Sequence, residues 1–87
     1  FGSHVKPDDL IACLLFRESA SKGCADGMAY YGMCLALGLG CIKDIAQANQ
    51  WIEKAASEGS NAGRYFKNGN MYSLEEIEEI RLKMRNR

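Results

Sequence analysis

A ten-residue phrase returns thirty-six residues downstream. Glu18-Ser-Ala-Ser-Lys-Gly-Cys-Ala-Asp-Gly27 is echoed by Lys54-Ala-Ala-Ser-Glu-Gly-Ser-Asn-Ala-Gly63. Ala20, Ser21, Gly23 and Gly27 fall on Ala56, Ser57, Gly59 and Gly63, Asp8 falls on Asp44, and Ala12 on Ala48. A fixed period of roughly 20–50 residues marks a stacked-repeat architecture. Each unit of such a stack cannot bury its apolar face alone, so neighbours complete it. The products are extended binding surfaces, and seldom catalytic sites.

Within the period the pattern is helical throughout. Pro7-Asp8-Asp9 opens a first helix, with an aspartate as N-cap, and Ile11, Ala12, Leu15, Phe16 and Ser19 keep one face. Gly23 ends it by permitting a left-handed cap. Ala25 to Leu37 reads as a second helix. Gly27 and Gly32 each weaken it by about 1 kcal/mol against alanine, which implies a neighbour whose backbone comes close. Gly38-Leu-Gly40 makes a turn. Asp44 caps a third helix with Ile45, Ala48, Trp51, Ile52, Ala55 and Ala56 on its apolar side, and Gly59 ends it. A fourth begins at Asn61 and is cut short at Lys67-Asn-Gly-Asn70. Ser73 and Glu76 form a capping box for a last helix, whose stripe is Leu74, Ile77, Ile80 and Met84. Its glutamates precede its arginines and lysine, as the helix dipole favours. The fold expected is therefore all-α, a solenoid of antiparallel helix pairs with about five helices and a C-terminal capping helix.

Length and charge narrow the function. Eighty-seven residues form one small domain, placed at residues 5–87, with Phe1-Gly-Ser-His4 read as a tag remnant. Eleven basic residues balance eleven acidic ones, so the basic footprint of a nucleic-acid binder is missing. The uncharged run from Gly27 to Ile42 is too short and too glycine-rich for a membrane span. The four cysteines include no Cys-x-x-Cys pair, and the single histidine is His4, so neither a metal site nor a cofactor is expected. Cys13 and Cys34 fall where helices should pack and read as reduced core residues, which favours a reducing, cytosol-type compartment. Without a histidine in the folded part, the usual Cys-His and Ser-His catalytic pairs are also unavailable, and no enzyme is expected.

The segment Gly38-Leu-Gly-Cys-Ile-Lys-Asp-Ile-Ala-Gln-Ala-Asn-Gln-Trp-Ile-Glu-Lys-Ala-Ala-Ser-Glu-Gly59 resembles the Sel-one-like (Sel1-like) repeat, a branch of the tetratricopeptide superfamily. Gly38, Gly40, Asp44, Ala48, Trp51, Lys54, Ala55, Ala56 and Gly59 fit its pattern, as do Gly23, Gly27, Gly32 and Leu35 before it. Tyr31, Leu35 and Cys41 stand where leucine, tyrosine and valine are usual. A disulfide-rich branch carries cysteine in the region where Ala55 and Ala56 stand here. The resemblance divides the chain into a half repeat at residues 8–23, a complete one at 24–59, a degenerate one at 60–72 and a cap at 73–87. It implies the closing end of a longer array.

That resemblance also implies an interaction scaffold. The first helix of each pair lines a concave groove, which would place Asp26, Ala29, Met33, Ala36, Leu37 and Tyr65 against a protein or peptide partner. Tyr31, Gly32 and Leu35 would be core. The competing reading makes Met28, Tyr30 and Met33 core as well, since methionine and aromatic residues at helical spacing usually are. A homodimer and a toxin-neutralising, immunity-type protein are the alternatives within this class.

Overall fold

The computed structural model describes residues 7–70 and 74–85, which are helical with short turns between. In chain order the helices are α1 (Pro7–Ser21), α2 (Ala25–Leu37), α3 (Ile45–Ser57), α4 (Asn61–Lys67) and α5 (Leu74–Arg85). Ser73, and with it the capping box, lies outside the described residues.

Two helix junctions repeat at the sequence period. Gly23 and Gly59 take φ of 88° and 96°, a left-handed conformation that costs a side-chain-bearing residue about 1 kcal/mol or more. This lets Cys24 N–H donate to the Ser19 carbonyl at 3.0 Å, and Ser60 N–H to the Ala55 carbonyl at 2.9 Å. Both bonds satisfy carbonyls that a helix end leaves unpaired. Beyond each junction a glycine receives the preceding helix. A Cβ on Gly27 would lie 2.5 Å from Ser19 Cβ, and one on Gly63 would lie 2.6 Å from Ala56 N. The α1–α2 and α3–α4 contacts are thus two copies of one joint.

The α2–α3 contact is the other kind of joint, inside one unit. Gly32 is its keystone, because a Cβ there would meet Ile52 Cγ1 at 2.7 Å and the Ala48 carbonyl at 3.0 Å. Ala20, Met28, Ala29, Met33, Ile52, Ala55, Ala62 and Phe66 form the main core, drawn from α1, α2, α3 and α4. Tyr31 and Trp51 flank it with ring centroids 5.5 Å apart. Trp51 is half-buried and carries Lys54 Nζ at 5.9 Å from its ring, so it packs at the core's edge.

A second, smaller core holds Ala12, Cys13, Phe16 and Cys34, with Ile80 of α5 against it. The helix that α5 meets among the described residues is α1, and not α4 as a helix closing the far end would. Some boundaries and faces also differ from expectation. Helix α1 already includes Pro7, so Asp8 sits inside the first turn and is not the N-cap. Ile11 and Ile45, expected on apolar inner faces, point outward. Each keeps about half of its surface in solvent.

Candidate partner-binding surface

The six residues expected along a groove separate into two groups. Ala29 and Met33 have no solvent-exposed surface (both 0 % exposed). This corrects their assignment as partner contacts. The reason is that α4 lies across this face of α2, closing it with Ala62 and Phe66. Met28 is buried with them and Tyr30 is half-buried, as the core reading requires. Leu35 and Gly32 are buried and Tyr31 half-buried.

Asp26, Ala36, Leu37 and Tyr65 keep access to solvent, with Ala36 half-buried. Their settings differ. Asp26 serves the joint between α2 and α4, where its Oδ1 accepts a hydrogen bond from Ser60 Oγ at 2.7 Å. Ser60 is almost fully buried, and its Oγ in turn accepts from Gly63 N–H at 3.0 Å, capping α4. Leu37 sits at the end of α2, 42 % exposed. Tyr65 is 39 % exposed and stands at the position equivalent to Ala29, thirty-six residues on. Ala29 is covered because α4 stacks on it, while the same face of α4 is open.

An apolar surface that the sequence reading missed lies on the outside of α1. Leu10, Ile11 and Leu14 are 46 %, 52 % and 52 % exposed and lie within one helical turn of each other. Shifting by the repeat period puts them on Ala46, Gln47 and Gln50 of α3, which are also exposed. At these three positions α3 carries an alanine and two glutamines, although Ile45 at its start is also exposed. In α1 the matching positions are leucine and isoleucine. Comparing the two copies at outward positions would have revealed this; looking only for inward periodicity hid it.

Among the described residues near this end, two thiols and a phenol are shifted. Burial pushes the Cys34 thiol well above its ordinary value, with Cys13 beside it adding to the effect. Burial likewise pushes Cys41 up to about 12, helped by a hydrogen bond with Cys13. Tyr31 is also raised, chiefly by burial and then by Cys13. These groups stay neutral near pH 7 and offer no activated nucleophile.

The Sel1 repeat model matches residues 1–24 and 25–60. The chain belongs to the Sel1 repeat family. Sel1 repeats stack as a tetratricopeptide-like helical solenoid and are in general non-enzymatic protein–protein interaction modules. No curated protein and no solved structure matches the chain. Among the described residues no helix is long and apolar enough to cross a membrane.

Proposed function

We propose that this Sel1 repeat protein is an interaction scaffold that captures an apolar or amphipathic segment of a partner protein on the outer face of α1. The observation that carries this is the contrast of Leu10, Ile11 and Leu14 with Ala46, Gln47 and Gln50 at the same repeat positions. Exposed apolar residues scattered singly are ordinary, but three within one turn mark a site for burial against another chain. An amphipathic helix laid along α1 is the occupant that fits, since its own apolar stripe would match theirs.

Leu37 and Tyr65 are proposed as a lesser contact set, the exposed remnant of the expected groove. With Arg64, Lys67 and Asn68 exposed near it, Tyr65 gives α4 a face suited to water, as at the closing end of a stack. Ile80 makes α5 a closing element, and we read α5 as a strap on α1 in place of a cap on α4.

The test is partner recovery. The chain and its Leu14→Glu, Ile11→Glu and Tyr65→Glu variants are used as affinity baits after circular dichroism has confirmed folding, and the recovered partner is cross-linked and mapped. The reading expects the Leu14 and Ile11 variants to lose recovery by about tenfold or more and the Tyr65 variant to lose less. Equal recovery by all folded variants overturns the α1 assignment. Light scattering over a concentration series settles the competing occupant: a dimer abolished by Leu14→Glu would make that occupant a second copy of this chain.

A further inference from the structure

Three thiols from separate elements converge on the smaller core. Cys13 comes from α1, Cys34 from α2, and Cys41 from the turn that leads into α3. Cys13 and Cys34 are buried there together, and Cys41 packs against them from the rim, half-buried. After burial, Cys13 is the neighbour that most raises each of the other two thiols. The backbone gives an independent reason for this meeting. Gly40 lies flat against α1, so that a Cβ on it would come within 2.6 Å of the Asp9 carbonyl carbon and 2.9 Å of Leu10 Cα. Cys13 is one helical turn beyond Asp9 on the same side of α1, and Cys41 directly follows Gly40. The close approach of turn and helix thus brings Cys41 to the rim of the core that holds Cys13. The cluster is not among groups that could hold a metal ion; none exists among the described residues.

We propose that Cys13 and Cys41 are the site of a reversible disulfide that locks the α2–α3 turn onto α1. Cys41 reaches solvent and is the entry point. Its thiolate attacks one sulfur of a small-molecule disulfide, forming a mixed disulfide and expelling one thiolate, which takes up a proton. The Cys13 thiol then loses its proton to water, attacks Cys41 Sγ and expels the second small-molecule thiolate. Two protein thiols are oxidised to one disulfide, and one small disulfide is reduced to two thiols. Burial holds the Cys41 thiol protonated near neutrality, so the first attack is slow, while its partial exposure keeps the bond open to exchange. The link closes a loop from residue 13 to residue 41 and restricts the unfolded chain accordingly.

The whole chain, reduced and then equilibrated with oxidised glutathione, is alkylated and mapped without reduction. The proposal expects a Cys13–Cys41 linked peptide, Cys34 recovered alkylated, and Tm raised by roughly 10 °C over the reduced protein. Cys41→Ser, at a half-buried turn position, should abolish both link and shift, while Cys24→Ser should leave both intact. A Cys13–Cys34 or Cys34–Cys41 link, a glutathione adduct that persists on Cys41 with Cys13 free, or a Cys13–Cys41 link without a rise in Tm overturns it. Cys13→Ala adds a second arm where circular dichroism shows it folded; where it does not fold, Cys41→Ser decides.

Discussion

Helices α1 and α3 are the same element written twice, and they differ on the side away from the core. Inward, Ala12 matches Ala48 and Phe16 matches Ile52, and all four are buried. Each helix hands its C-terminal turn to a glycine of the next helix, Gly27 or Gly63. Outward, α3 shows glutamines where α1 shows leucine and isoleucine. Their surroundings differ too: among the described residues α3 meets α2 and α4, whereas α1 meets α2 and, from far along the sequence, α5. The inner face of a repeat is dictated by stacking, so it tolerates little variation. The outer face is free of that demand, and there a repeat can acquire a partner.

The largest test of the equivalence is the inner pair. Phe16→Ala is expected to cost about 3–5 kcal/mol and Ile52→Ala about 2–5 kcal/mol. In so small a domain either loss approaches the whole stability, read as a collapse of the urea midpoint. Two near-equal losses would confirm the shared inner role. A loss under 1 kcal/mol for Phe16→Ala would separate the two helices. Gly40→Ala comes next, since it adds a Cβ into the α1 backbone at φ 72°. Overpacking and strain together should cost about 2–4 kcal/mol, measurable in the same titration.

The joints themselves can be set against each other. Ser60 caps α4, but its counterpart Cys24 makes no side-chain cap on α2. Ser60→Ala should therefore cost about 1–2 kcal/mol, and Cys24→Ser should gain up to about 1 kcal/mol. Equal responses from the two sites would mean the joints differ in more than their caps.

Stability should also fall gradually in alkali. The thiols of Cys34 and Cys41 are held above their ordinary value of 9.0 by burial. The folded state therefore keeps protons that the unfolded chain releases, so stability is full below pH 9 and declines as pH rises toward the shifted values. Chemical denaturation at pH 7 and pH 10 checks the sign, and a flat profile would show that the two thiols are not buried as described. The smallest effect is expected on the outside of α1, where Leu14→Gln, which makes α1 resemble α3, should change stability by no more than about 0.5 kcal/mol. A larger loss would mean that this face already packs within the chain.

The local part of this fold was legible in the sequence. The period, the glycine caps, the Asp44 N-cap and the limits of α2 follow from short-range chemistry, and Asp44 does accept from Gln47 N–H at 3.0 Å. What helical spacing cannot say is which of two apolar faces the next unit will cover. The family resemblance places Ala29 and Met33 in a groove, although α4 closes over them. The meeting of α5 with α1 has no local signature at all, because it joins residues far apart in sequence. Cys13, Cys34 and Cys41 could be named core candidates singly, but their convergence depends on the approach of Gly40 to Asp9.

The seating of Ile80 on α1 also sets an order of events during synthesis. Helix α1 is made before α5, and α5, which packs on it, is translated only after α2, α3 and α4. Until then the nascent α1 carries an uncovered apolar flank, while the α2–α3 pair already has the local contacts it needs to fold. This arrangement makes the waiting α1 the segment most open to a chaperone or to misassociation.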